Sequence, residues 1–247
     1  MSPLQTSVVL AGAREAHGVI TGLRSRRRTV VISLPEAPRQ TDPLLAHARL
    51  GNFDTEEAFE EWLKSHHPAC VIDSSHSFDS EVSLMAHTVC TRCDVPYLRV
   101  LRKPWVATSR DRWSVFSSVR DAAESLPDTA RVFSNTGWLS LQEYAGFRGQ
   151  KVFLRQSHEV HGNAPFPFVQ LVEGTPPFSQ EHEERLFRRL AVTHLLCRNV
   201  GGVASMSKLL AARRLDLPVY MVSRLPPPKG AQVVETVAEA LAWEANL

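Results

Sequence analysis

No stretch of this chain approaches the roughly 18 consecutive apolar residues a bilayer-crossing helix needs. The N-terminus also lacks the charged region and long apolar core of a secretory signal, so the expectation is a soluble, cytoplasmic protein without membrane contact. Neither charge sign dominates: the formal net charge of +2 gives no bulk attraction to nucleic acid, and a neutral or acidic small molecule is the easier partner. Cysteine is scarce. Cys70, Cys90, Cys93 and Cys197 fall in or beside expected strands and a helix, without the loop placement of a disulfide framework, which points to a reducing compartment. Cys90-x-x-Cys93 has no second pair to complete a structural zinc site and reads as a buried, chemically idle pair. His66-His67 and the stretch from His158 to His161 read as solvated, with no ligating companion at helical spacing, so no metal is expected. A G-x-S-x-G elbow is missing too, and with it the usual nucleophile of a hydrolase.

What is present is an alternation of short apolar runs with helical patterns. Strands are expected at 7–10, 29–34, 69–73 and 96–101, separated by helices ending near 25 and spanning about 55–66 and 79–93. A further helix at about 119–126 leads to Pro127-Asp128, which reads as a linker. A second series follows, with strands at 131–134, 151–155, 168–172, 193–197 and 218–222 and helices at about 180–190, 203–215 and 234–243. Strands alternating with helices of this length form parallel sheets covered on both faces. The expected fold is therefore α/β, with two Rossmann-like lobes of mostly parallel sheet and an interdomain cleft. Residues 1–127 would form a nucleotide-binding lobe and residues 128–247 a second α/β lobe.

Polar residues gather where strands should end, which is where open α/β sheets meet their ligands. The run Cys70-Val71-Ile72-Asp73 breaks into Ser74-Ser75-His76-Ser77-Phe78-Asp79 and then into a helical pattern. Such residues mark a site, or serve only as turn formers and helix caps. Gly12, after the first strand, lets backbone amides at a helix N-terminus approach a phosphate, although only Gly18 accompanies it where a dinucleotide fingerprint wants several glycines. The loop Arg198-Asn199-Val200-Gly201-Gly202 is a stronger anion candidate, because paired glycines expose amides and Arg198 adds a fixed cation. The basic run from Arg24 to Arg28 reads as a solvated helix end.

Taken in order, these segments resemble the precorrin-6A reductases of cobalamin biosynthesis over essentially the whole chain. The family's G-G-T-x-E-A turn is answered by Ala11-Gly12-Ala13-Arg14-Glu15-Ala16, and its D-A-T-H-P-F-A motif by Asp73-Ser74-Ser75-His76-Ser77-Phe78-Asp79. Lys103-Pro104-Trp105 with Asp111-Arg112-Trp113 looks like the R-P-x-W and D-R-W segments. Thr136-Gly137-Trp138 stands for T-G-R, and Cys197-Arg198-Asn199-Val200-Gly201-Gly202 for T-K-N-S-G-G. K-x-x-A-A and L-P-V are present as Lys208-Leu209-Leu210-Ala211-Ala212 and Leu217-Pro218-Val219.

The resemblance implies an NADPH-dependent enzyme that reduces precorrin-6A to precorrin-6B, a polycarboxylate tetrapyrrole as substrate, and room for contacts with other enzymes of the pathway. Within that implication His76 and Asp73 are the catalytic pair, His76 positioning substrate or nicotinamide and Asp73 orienting it. Gly12, Ala13, Arg14, Ser33, Arg39 and Ser75 would bind the cofactor, with Arg39 and Ser33 at the 2′-phosphate. Thr136, Gly137, Arg198, Asn199, Gly201 and Lys208 would bind substrate, and Arg14, Arg99, Arg155 and Arg198 would supply cations for its carboxylates. Four loops depart from the family pattern: Ala13 and Val200 replace hydrogen-bonding residues, Ser77 replaces Pro, and Trp138 replaces Arg. Those departures motivate a second reading, a catalytically silent homologue that binds a tetrapyrrole or a protein partner.

Overall fold

A computed structural model describes residues 5–37, 42–156 and 164–247. The chain divides into two compact units, one made of residues 1–103 with 225–247 and the other of residues 104–224.

In the first unit, β1 (Thr6–Ala11), α1 (Glu15–Ser25), β2 (Thr29–Leu34) and the two-residue β3 (Arg49–Leu50) are followed by α2 (Glu56–His66), β4 (Cys70–Ser74), α3 (Ser80–Arg92) and β5 (Tyr97–Val100). The second unit holds β6 (Trp113–Phe116), α4 (Val119–Glu124), β7 (Arg131–Ser134), β8 (Lys151–Gln156), β9 (Val169–Glu173), α5 (Gln180–Arg189), β10 (His194–Arg198), α6 (Ser207–Arg214) and β11 (Val219–Val222). The chain then returns to the first unit with β12 (Gln232–Val234) and α7 (Val237–Glu244).

Among the described residues every strand pairing is parallel. The sheets run β3-β2-β1-β4-β5-β12 and β9-β8-β7-β10-β11-β6. Each is the doubly wound order in which the first strand sits beside the fourth and the winding reverses between them. The sixth strands are exchanged along the chain: β6 completes the second sheet before that sheet's own first strand, and β12 completes the first sheet after the second unit has ended.

This exchange corrects the boundary at 127/128. Residues 113–126 belong to the second unit because β6 pairs with β11 and α4 packs beside it. Residues 232–244 belong to the first, because β12 pairs with β5 and α7 packs on α1. The three short edge strands β3, β6 and β12 were not read from the sequence, since none of their residues is buried and they carry no apolar run of the kind that marks β5, β7 and β11. The helix expected at 203–215 is instead a 3-10 turn, Val203–Ser205, followed by α6. α7 begins later than expected, where Thr236 and Glu239 form a capping box.

Alternation along β1 explains the two cores of the first unit. Val9 and Ala11 pack with Val19, Ile20 and Leu23 of α1, whereas Val8 and Leu10 pack with Phe59 and Leu63 of α2 and Val89 of α3. Gly18 does not face a phosphate. A Cβ there would lie 3.0 Å from Val237, so this glycine admits α7 against α1. The end of the basic run is not simply solvated either: Arg28 Nε lies 2.6 Å from the buried carboxylate of Glu244, and Arg26 Nη1 lies 3.6 Å from it, tying α7 down.

Candidate functional site

In the first sheet the winding reverses between β1 and β4, and their C-terminal ends bring two polar loops together. β1 and β4 are in register from Ser7 with Cys70 to Ala11 with Ser74, so Gly12 emerges directly beside Ser75 and His76. A Cβ on Gly12 would stand 2.9 Å from the backbone nitrogen of His76 and 3.4 Å from the Cα of Ser75. Only glycine permits this approach. The Ala13 amide donates to the Ser74 carbonyl at 2.9 Å, so it locks the two loops together rather than facing outward. Arg14 is exposed at the start of α1, and Glu15 in the first turn lies 3.5 Å from Arg102.

The His76 loop is held from below by a buried charge pair. Arg99 is 3 % exposed and Asp73 0 %. Arg99 Nη1 donates to Asp73 Oδ1 and to the Asp73 carbonyl, both at 3.0 Å, and to the Ser75 carbonyl at 3.2 Å, while Nη2 donates to the His76 carbonyl at 3.2 Å. The Asp73 carboxylate also accepts from Tyr97 Oη at 2.6 Å and from the Ser75 amide at 2.9 Å. Burial, with the Asp73 carboxylate beside it, pushes the Tyr97 hydroxyl far above its ordinary range, so Tyr97 stays a donor. Arg99 thereby ties the Asp73 carboxylate to the backbone carbonyls of Ser75 and His76. Nδ1 of His76 accepts from the Phe78 amide at 3.3 Å, which leaves the ring proton on Nε2. The Ser75 hydroxyl is buried and faces Ser83 of α3 at 3.5 Å.

At the end of β2, Ser33 is buried and its hydroxyl accepts from Arg49 of β3 at 3.5 Å. The Arg49 guanidinium lies over the Phe53 ring, 3.5 Å from its centroid, and donates to the carbonyls of Gly51 and Asn52. Arg39, assigned to the 2′-phosphate from sequence, lies outside the described residues.

The second sheet reverses between β7 and β10, and there too the loops are built. Thr136 is buried in a hydroxyl network, its Oγ1 3.1 Å from both Ser134 Oγ and Tyr144 Oη and 2.7 Å from Ser140 Oγ. Gly137 and Gly201 have φ of +91° and +69°, a left-handed backbone that other residues resist. Asn199 exchanges two hydrogen bonds with the backbone of Trp105, at 2.8 and 2.9 Å, and the Trp105 indole donates to the Gly202 carbonyl. Lys208 is buried beneath the same loop, where Nζ donates to Ser205 O at 2.6 Å and lies 5.0 Å from the Trp105 ring centroid, and burial lowers its pKa. Arg198 lies 3.9 Å from Glu143. Of the cations assigned to substrate carboxylates, two are already spent: Arg99 on Asp73, and Arg155 on Glu183 at 2.7 Å, both pairs buried. At the sheets' C-terminal edges Arg14 is exposed and Arg198 half-buried.

Sequence reasoning missed Arg49 and Tyr97. Arg49 sits in a loop-like segment whose pairing with β2 is tertiary, and Tyr97 reads as an ordinary core strand residue. Cys70, Cys90 and Cys197 behave as packing residues, since burial pushes the thiols of Cys70 and Cys197 up to about 11 and that of Cys90 to about 12, whereas Cys93 is half-buried rather than buried as expected.

The whole of this architecture has counterparts. The model of the precorrin-6x reductase family CbiJ/CobK matches residues 7–245. A precorrin-6A reductase of Rhodococcus erythropolis is 30 % identical over 244 residues, covering 97 % of both chains. One from Rhodobacter capsulatus is 28 % identical over 242 residues, 97 % of this chain and 95 % of the relative. Among solved structures, CobK precorrin-6A reductase superposes with a TM-score of 0.89 at 28 % identity, covering 98 % of this chain and 97 % of that one.

Proposed function

The chain belongs to the precorrin-6x reductase family, and from this premise we propose that it is an oxidoreductase of cobalamin biosynthesis that reduces precorrin-6A to precorrin-6B with NADPH. The observation that carries the reading is the approach of the Gly12 turn to the His76 loop at the switch point of a doubly wound sheet, the place where such sheets hold dinucleotides. Residues there fit the cofactor: the α1 N-terminus with exposed Arg14 receives the pyrophosphate, and Ser33 with Arg49 stands at the end of β2, where the adenosine ribose and its 2′-phosphate belong. NADPH bound in this way supplies the hydride for the ring double bond.

The chain's own residues bind and orient. His76 presents its Nε2 proton as a hydrogen-bond donor to substrate or nicotinamide, and the Asp73-Arg99 pair fixes the height of its loop. Arg198 and the backbone at Gly201 receive a carboxylate of the tetrapyrrole, while Thr136, Asn199 and Lys208 hold those loops from behind. A positioned group of this kind contributes about 10²-fold or more to rate. His76→Ala is expected to lower turnover by that order with the melting temperature unchanged, and His76→Gln, which keeps a donor, to lose less. A folded His76→Ala protein with wild-type turnover would remove His76 from the site.

A further inference from the structure

Within the second unit, the loop from Arg198 to Gly202 hangs on a residue outside the assigned site. Trp105 is the second residue of that unit, 94 and 97 positions away in sequence from the two places it holds. At Asn199 the Trp105 backbone N–H donates to the side-chain Oδ1 at 2.8 Å, and Asn199 Nδ2 donates back to the Trp105 carbonyl at 2.9 Å. At the other end of the loop the Gly202 carbonyl accepts from the indole Nε1 at 2.8 Å. The ring itself is packed in the core of the unit, so both pins are anchored in a rigid place.

What lies between the pins gives them a purpose. Gly201 and Gly202 have φ of +69° and +78°, and among the described residues neither backbone N–H has a protein acceptor. Two successive amides beside the Arg198 guanidinium, with the buried Lys208 ammonium beneath the loop, make a place that attracts an anion. Glycine loses more backbone freedom on ordering than any other residue, so a loop with two of them binds weakly unless something else fixes its geometry in advance. Resting on the reading above, in which Arg198 and this backbone receive a carboxylate of the tetrapyrrole, we propose that Trp105 is the positioning residue of that contact. By clasping Asn199 and the Gly202 carbonyl it holds the two amides and Arg198 in the arrangement a carboxylate needs before the substrate arrives.

Calorimetric titration of the full chain with precorrin-6A and, separately, with NADP⁺ tests this. Trp105→Phe keeps an aromatic ring in the core and removes the indole donor. It is expected to weaken precorrin-6A by about three- to tenfold, the value of one neutral hydrogen bond, and to leave NADP⁺ unchanged. In an Arg198→Ala background the same substitution should change precorrin-6A affinity by less than about twofold, because two residues that serve one contact are not additive. A lower melting temperature with both affinities unchanged marks Trp105 as a core residue only and overturns the proposal, as does equal weakening of both ligands or a full effect retained without Arg198. Should Trp105→Phe not fold, Asn199→Ala releases the loop from its other side, and the same outcomes decide. Precorrin-6A affinity indifferent to Arg198→Ala, or no binding by the wild-type chain, overturns the substrate reading itself and the inference with it.

Discussion

Replacing Arg99 by Met should injure this protein more than any change at its surface arginines. The substitution keeps most of the side-chain volume and removes four donated hydrogen bonds: two to Asp73, one to the Ser75 carbonyl and one to the His76 carbonyl, all between 3.0 and 3.2 Å. Asp73, at 0 % exposure, would keep only the Tyr97 hydroxyl and the Ser75 amide against its charge. Removing one partner from a buried pair costs about 3–5 kcal/mol, against about 0–1 kcal/mol for an exposed pair such as Arg112 with Asp216. For a chain of this size that is a fall of about 6–20 °C in melting temperature, read by scanning calorimetry. Hydrogen exchange supplies the local readout, with faster exchange at the Ser75 and Phe78 amides, whose acceptors lie on this loop. Adding Asp73→Asn should recover much of the melting temperature, since no lone charge then remains, but not the protection of the loop, because the carbonyls still lack their donor. An Arg99→Met protein within about 1 kcal/mol of wild type, with exchange unchanged, would refute the claim that this pair sets the His76 loop.

Three further outcomes follow from the same geometry. Gly12→Ala forces a Cβ to within 2.9 Å of backbone, so NADP⁺ affinity by titration should fall and stability drop by about 1–3 kcal/mol; unchanged values would mean the loops part freely. Burial, and after it Arg112, lowers the His194 pKa, so the unfolded chain takes up this proton first: the stability is intact above about pH 6.5 and is lost as pH falls through the lower folded value, and His194→Gln should flatten melting temperature against pH there. For Asp111, burial opposes ionisation, but the Arg213 guanidinium and Thr108 outweigh it and hold the carboxyl at about 2, so Asp111→Asn should cost about 1–3 kcal/mol at neutral pH and little near pH 2 in denaturant titrations.

The buried strands and the longer helices were legible because an apolar run or a helical period marks each: β2 and β7 fall at their expected limits, and α2 and α3 within a residue or so. The exchange of edge strands was not, because it depends on which sheet β6 and β12 join, a tertiary choice that three or four residues cannot encode. At the site, the strand-end pattern pointed to the loops that the two sheets bring to their switch points, since polar residues after buried strands have few other places to be. The direction in which each side chain turns was not legible. Ser75, Thr136, Asn199 and Lys208 all lie at the switch points, yet each side chain turns inward to brace a loop. The same holds for Asp111, whose family motif turns out to anchor α6 through Arg213.

The central claim is tested most directly by incubating the purified chain with precorrin-6A and NADPH, following the loss of NADPH absorbance together with the mass of the tetrapyrrole. The account requires one NADPH consumed for each macrocycle that gains two hydrogens. A chain that binds the tetrapyrrole while neither consuming NADPH nor changing the macrocycle's mass would contradict it and leave the silent, tetrapyrrole-binding homologue in its place.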